Sequence, residues 1–200
     1  MTRFTWPGAA LAAALGLAGW ACPGRAPAPA AVACAPVAGE LAAGARTDAL
    51  AGAFRLTLVA DRGPFTGRSV EGTLRLQPFG ARPVPVPAAA GFRYPLFGGT
   101  DVDLAAVGAV APGAVDRADA ARPGVLVLES VPGGPAGRNS VMLRLGADAN
   151  RGGDPRFDGA FTALTVTAID AGRFAGRWQS GGGDQQASGY FCAERIGAAR

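Results

Sequence analysis

The stretch 161-FTALTVTAIDAGRFAGRWQSGGGDQQASGYFCAER-195 reads as three strands in series. Residues 161–169 are rich in Thr, Val and other side chains that suit a pleated, half-buried surface. Asp170-Ala171-Gly172 supplies a short turn with a glycine free to take positive φ. Residues 173–179 return with Phe174, Gly176 and Trp178 on one face and Arg173, Ala175 and Arg177 on the other, the period of two that a strand requires. A Gly-rich loop over 180–184 leads to a last strand, 187–195, carrying Tyr190, Phe191 and Cys192. The stretch is an antiparallel meander.

The chain before it repeats the style. Residues 53–60 alternate Phe54, Leu56 and Leu58 against Arg55, Thr57 and Val59, and 69–77 form the return strand after a Gly/Pro loop at 61–68. The Pro-rich passage 78–90 interrupts regular pairing and is expected over an edge or an end of the sheet. Residues 92–97 and 101–107, split by Gly98-Gly99, are expected as a tight hairpin or as one bulged strand. After an irregular connection at 112–124, residues 125–131 are apolar on both faces, which predicts burial on both sides. Residues 140–145 return with Val141, Leu143 and Leu145 on one face. Eight or nine short strands, Gly/Pro turns and no amphipathic helix define an all-β chain. Successive hairpins favour an up-and-down meander closed, or nearly closed, into a barrel, which removes exposed edges; a β-sandwich is the alternative.

Two hundred residues suffice for one domain with a real core. Residues 1–21 stand apart from it: Arg3, an apolar run from Gly8 to Gly19 and small residues after it have the layout of a secretory signal, too short for a membrane span. Residues 22–51 follow as an Ala/Pro-rich tether, with a short helical turn as the most that 40–51 would hold, and 52–200 form the barrel domain. Export to the periplasm or outer cell envelope of a bacterium is the expected location. All 19 basic residues are Arg and they are scattered, so a nucleic-acid footprint is not expected. The absence of Lys beside abundant Ala, Gly, Arg and Pro fits a GC-rich coding bias.

In an exported chain, Cys34 and Cys192 lie where a disulfide would tie the N-terminal segment to the final strand. Cys22 is then the odd cysteine. The string Leu17-Ala18-Gly19-Trp20-Ala21-Cys22 resembles the lipidation box of bacterial lipoproteins, with Trp20 where a small residue is usual. A lipid anchor at Cys22, the one membrane attachment expected, stands against simple cleavage nearby.

An exported chain of this length, with some eight meandering strands and its ends joined by a cysteine pair, resembles the lipocalin and calycin barrels. The resemblance implies binding of a small, often apolar, molecule inside the barrel. The family's Gly-x-Trp signature lies on the first strand, whereas Gly176-Arg177-Trp178 lies on the next-to-last. The likeness is one of architecture, which does not fix function.

Without His or Lys the chain lacks the commonest general base, the commonest metal ligand and Schiff-base chemistry. Asp101 and Asp103, two apart on an expected strand, would share a face; a solvated strand face explains them as well as a carboxylate pair does. The loop from Asp148 to Asp158 has oxygen ligands loosely spaced as in a calcium loop, without the closing Glu, and its Asp, Asn and Gly also simply form turns. A non-enzymatic protein without cofactor or metal is therefore expected. Trp178, with Phe174, Tyr190, Phe161 and Phe54, would line a ligand cavity or fill the core of a small barrel. Arg177 and Arg195 are expected to pair on the sheet surface with an acid such as Glu194, or to flank Trp178. The two functions that follow are an apolar-ligand binder and a structural or protein-interaction module of the envelope.

Overall fold

Alternation of apolar and polar side chains is the organising pattern of the folded chain. The computed structural model describes residues 34–42, 45–79, 91–110, 124–130, 140–146, 161–182 and 185–197. The strands are β1 (Gly52–Arg62), β2 (Ser69–Pro78), β3 (Phe92–Arg93), β4 (Leu96–Thr100), β5 (Gly124–Ser130), β6 (Val141–Leu145), β7 (Phe161–Asp170), β8 (Arg173–Gly182) and β9 (Gln185–Arg195). All pairings are antiparallel, in the order β3-β5-β4-β2-β1-β9-β8-β7-β6, and a further β5–β6 ladder closes the sheet on itself. The result is a closed eight-stranded up-and-down barrel, with the two-residue β3 as an extra strand beside β5. The sandwich alternative is thereby set aside.

Register places one apolar set inside. Leu56 pairs with Gly72 on β2 and Ala193 on β9, and Leu58 pairs with Val70 and Phe191. On the other side of the ring, Leu143 sits between Val127 and Leu164, and Leu164 pairs with Trp178. These inward residues are buried, with Leu56, Leu58, Val127, Leu143, Leu164 and Phe191 at 0% exposure. Each large apolar side chain so buried contributes about 1.5–3 kcal/mol. The intervening positions Arg55, Glu71, Arg75, Arg173, Arg177 and Gln179 are exposed on the outer wall. Apolar inside and polar outside is the inverse of a transmembrane barrel. The expectation that 125–131 is buried on both faces holds for residues 125–127, where Val125 and Val127 face the interior and Leu126 joins Phe79 and Phe97 in a separate outer cluster; Leu128 and Glu129 are only half-buried, and residue 131 lies outside the described residues.

Three local expectations are corrected. Gly98-Gly99 form no turn or bulge; they lie within β4, paired with Leu76 and Arg75 of β2 and with Val125 and Gly124 of β5. Residues 101–107 are not a strand: after β4 the chain leaves the sheet and makes a 3-10 turn (η2, Leu104–Val107). Finally, the Gly-rich loop is shorter than read, because β8 continues to Gly182 and β9 starts at Gln185. Flanking ladders on both sides outweigh glycine's low strand propensity at these positions. The leader, Cys22, most of the Pro-rich 78–90 passage and the 148–158 loop lie outside the described residues.

Folded structure starts upstream of Gly52. Cys34 is bonded to Cys192 on the outer wall of β9. From there an arm runs along the barrel, with the Val37 carbonyl accepting from Thr167 Oγ1 at 3.4 Å and Leu41 packed against the core. It ends in a 3-10 turn (η1, Thr47–Leu50) whose Leu50 is fully buried. Replacing Cys34 and Cys192 with Ser is expected to lower the unfolding free energy by about 2–4 kcal/mol in urea titrations. Equal stability would show that the arm adds nothing to the barrel.

Candidate functional site

The barrel interior is the candidate site, because its alternating inward positions bring the aromatic residues together. Phe54 meets Phe174 edge-on at 5.0 Å between centroids, and Phe174 meets Phe191 at 6.0 Å. Such pairs add about 0.5–1.5 kcal/mol each beyond area burial. Trp178 is 1% exposed and its Nε1–H donates to the Val59 carbonyl at 3.0 Å. The indole reaches β1 by crossing β9 at Gly189, where a Cβ would stand 2.6 Å from Nε1. A buried indole N–H needs such a partner, and the Val59 carbonyl next to the β1 bulge at 60–62 supplies it.

Of the five residues expected to line a cavity, Trp178, Phe174 and Phe54 point inward and are buried. Tyr190 and Phe161 do not join them. Tyr190 pairs with Val59 and Arg177, and Phe161 with Gly181, all on the outer face. Phe191, inward and fully buried, is the aromatic partner that the sequence reading did not include among the five. Strand parity was the available signal: Phe191 alternates with Tyr190, and Thr162 with Phe161.

The two arginines also part company. Arg177, on the outer wall, pairs with Asp61 at the β1 bulge, Nη1 to Oδ2 being 2.7 Å. Arg195 is opposite Phe54 and turns inward at the end of the barrel where β1 begins, here called the near end. Its guanidinium carbon lies 4.7 Å over the Phe54 ring, while Nη1 donates to Ala51 O at 2.9 Å and Nη2 to Ala49 O at 2.7 Å. A side chain at Gly52 would collide with Nη1 at 2.2 Å, and the residue's φ of 134° also favours glycine. The cation thus satisfies carbonyls left open at the end of η1. Neither arginine flanks Trp178.

Glu129 completes this end. It occupies an inward register position opposite Val141, accepts from Thr47 Oγ1 at 2.6 Å and pairs with Arg93 at 2.6 Å. The hydrogen bond and charge of Glu129 raise the Arg93 pKa above its ordinary value, so the guanidinium stays charged across physiological pH. Thr47 is 1% exposed, so η1 is held by a buried hydroxyl, a carboxylate and the Arg195 fork.

The far end is spanned by residues 101–110. Asp101 Oδ1 accepts from the Thr73 N–H, and Asp103 Oδ1 accepts from the Ala105 N–H at 3.2 Å as the N-cap of η2. The two carboxylates therefore serve local backbone groups rather than a shared face. Val102, Leu104, Val107 and Ala109 are buried in the main core, and Val110 closes the span on β7 and β8, its N–H donating to Ser180 Oγ at 2.9 Å and its carbonyl accepting from Thr162 Oγ1. Among the described residues no group of three or more His, Cys, Asp or Glu stands close enough to hold a metal ion.

No protein-family model and no curated protein matches the chain. Several solved structures have a similar course, redesigned β-barrels among them. One, described as EF1p2_mFAP2b bound to DFHBI, is 10% identical with a TM-score of 0.37, over 75% of this chain and 96% of that one. Another, mFAP1 bound to DFHBI, is 11% identical with a TM-score of 0.35, over 74% and 97%. A third, b11L5F_LGL, is 9% identical with a TM-score of 0.36, over 76% and 95%. Likenesses this distant carry no argument about the site; the fold rests on the strand register itself.

Arg195→Ala is expected to cost about 1–3 kcal/mol, since it strips two carbonyls of their donor and uncovers Phe54. Arg195→Lys should recover only part of this, because an ammonium cannot span both carbonyls and stack at once. Thermal unfolding of the two variants checks the ranking; a fully stable Arg195→Ala protein would contradict it.

Proposed function

We propose that the chain is an exported, non-enzymatic protein of the bacterial cell envelope whose barrel takes up a small apolar ligand. The observation that carries this reading is the interior: a largely apolar lining around Trp178, Phe54, Phe174 and Phe191, covered at the far end by a segment outside the barrel ladder. Ligand pockets are mostly apolar with a few placed polar groups, and the mouths of β-barrels are among their usual positions. The calycin resemblance supports the same reading. β1 opens Gly52-Ala53-Phe54, so the first strand carries the Gly-x-aromatic spacing with Phe in place of Trp.

Export is supported by Arg3 and the apolar run that follows it, and by the Cys34–Cys192 bond, which belongs to oxidising compartments. A lipid at Cys22 would hold the protein at a membrane surface. The non-catalytic reading draws on the lack of His and Lys and on the local backbone roles of Asp101 and Asp103.

A structural or protein-interaction module of the envelope is the second reading. It draws on the packing of Trp178, Phe54, Phe174 and Phe191, each at most 2% exposed, which is how a barrel filled by its own side chains looks.

Native and denaturing mass spectra of the protein exported by a bacterial host, without reductant, separate the two. The ligand reading expects an added mass under native conditions that is lost on denaturation. Identical masses from protein isolated without detergent or extraction would favour the filled module. The denatured mass also distinguishes an acylated Cys22 from simple cleavage nearby.

A further inference from the structure

The segment over the far end does more than cover it. Val102, Leu104, Val107 and Ala109 reach into the same apolar cluster as Trp178, at exposures of 2%, 4%, 0% and 6%. An apolar stretch thus lies where a ligand entering this mouth would lie. At its end comes a polar contact. Thr162 and Ser180 face each other across β7 and β8 on the inner wall, 1% and 4% exposed, with their hydroxyls 2.8 Å apart. The backbone of Val110 satisfies both, giving a donor to Ser180 and an acceptor to Thr162.

Closure alone does not call for this arrangement. Val or Ala at 162 and 180 would continue the lining, and apolar packing would seat the segment without buried hydroxyls that demand partners. Thr100, also buried, is different: its hydroxyl donates to Thr73 O of the neighbouring strand at 2.9 Å, so its proton is placed within the sheet, and it accepts the Val102 N–H two residues on at 3.3 Å. Among the described residues the Thr162–Ser180 pair is completed from outside the sheet, by the backbone of Val110.

We infer that residues 101–110 occupy the place of the ligand, and that Thr162 and Ser180 hold the head of an aliphatic molecule ending in a primary amide. The apolar chain replaces Val102, Leu104, Val107 and Ala109, and the amide replaces the N–H and C=O of Val110. A neutral head follows from the partners. Among the described residues neither hydroxyl has a charged partner, and an ionised carboxylate buried without a cation costs several kcal/mol. This inference rests on the ligand-binding reading above.

The test is calorimetric titration of the full chain, freed of any carried molecule, with octanamide, N,N-dimethyloctanamide and octanoate. The three share one acyl chain and differ in head: donor and acceptor, acceptor alone, and anion. Octanamide is expected to bind about tenfold more tightly than either of the others, the worth of one good hydrogen bond in a dry site. In the Thr162→Val, Ser180→Ala double variant, octanamide and its dimethyl derivative should agree within about threefold. Equal affinity of the wild type for all three probes would overturn the assignment of the hydroxyl pair while leaving apolar-ligand binding intact. Binding of none would overturn it too; a ligand carried by the exported protein would then keep the wider reading alive, and no carried ligand would end both. If the double variant fails to fold, the comparison of three probes on the wild type still decides.

Discussion

Pairing of the first barrel strand with the last, β1 with β9, is the contact on which the rest depends. It is the ladder of longest sequence separation, running from Phe54 opposite Arg195 to Arg62 opposite Ser188, so its loop-closure cost is the largest in the fold. Three further links converge on this seam. The Cys34–Cys192 bond fastens the arm to β9, Arg195 reaches from β9 to Phe54 and the end of η1, and the Trp178 indole crosses β9 to the Val59 carbonyl of β1. Each uses a different kind of interaction: covalent, cationic and neutral hydrogen bond. Without this seam the eight strands would present two open edges and no enclosed interior.

Much of this was legible as period-two alternation. Phe54, Leu56 and Leu58 on one face, Phe174 and Trp178 on another, and Val141, Leu143 and Leu145 on a third were readable because a barrel wall has one dry side. The disulfide was readable from the placement of two cysteines. Residues 101–107 carry the pattern of a strand without forming one. Asp101, Val102, Asp103 and Leu104 alternate as a half-buried strand does, yet the apolar members are buried by lying across the mouth of a barrel. Local sequence registers which residues will be dry, not which surface dries them.

For the aromatic residues and Arg195, strand parity outweighs side-chain chemistry. The chemistry of Tyr190 and Phe161 suits an interior, but neighbours on the same strands already take that face. The charge of Arg195 suits the outer wall, but the residue alternates with Phe191 and Ala193 toward the interior. A guanidinium is tolerated there because the strand has reached the end of the barrel, where backbone carbonyls replace water. The two ends consequently differ in kind: an ion pair and a guanidinium fork help fix η1, whereas the far span is held by apolar burial, by the Asp101 carboxylate on the Thr73 N–H and by the backbone of Val110 on two hydroxyls.

The position of Cys34 has a mechanical meaning. The disulfide enters the barrel midway along the outside of β9, before the arm that leads to η1. Tension applied to the chain ahead of Cys34 passes directly through the sulfur bridge into a strand clamped between β1 and β8. The arm and η1 at the near end lie off that load path. A barrel hung by its N-terminal segment would pass force into β9 and its two ladders, and η1 would stay seated.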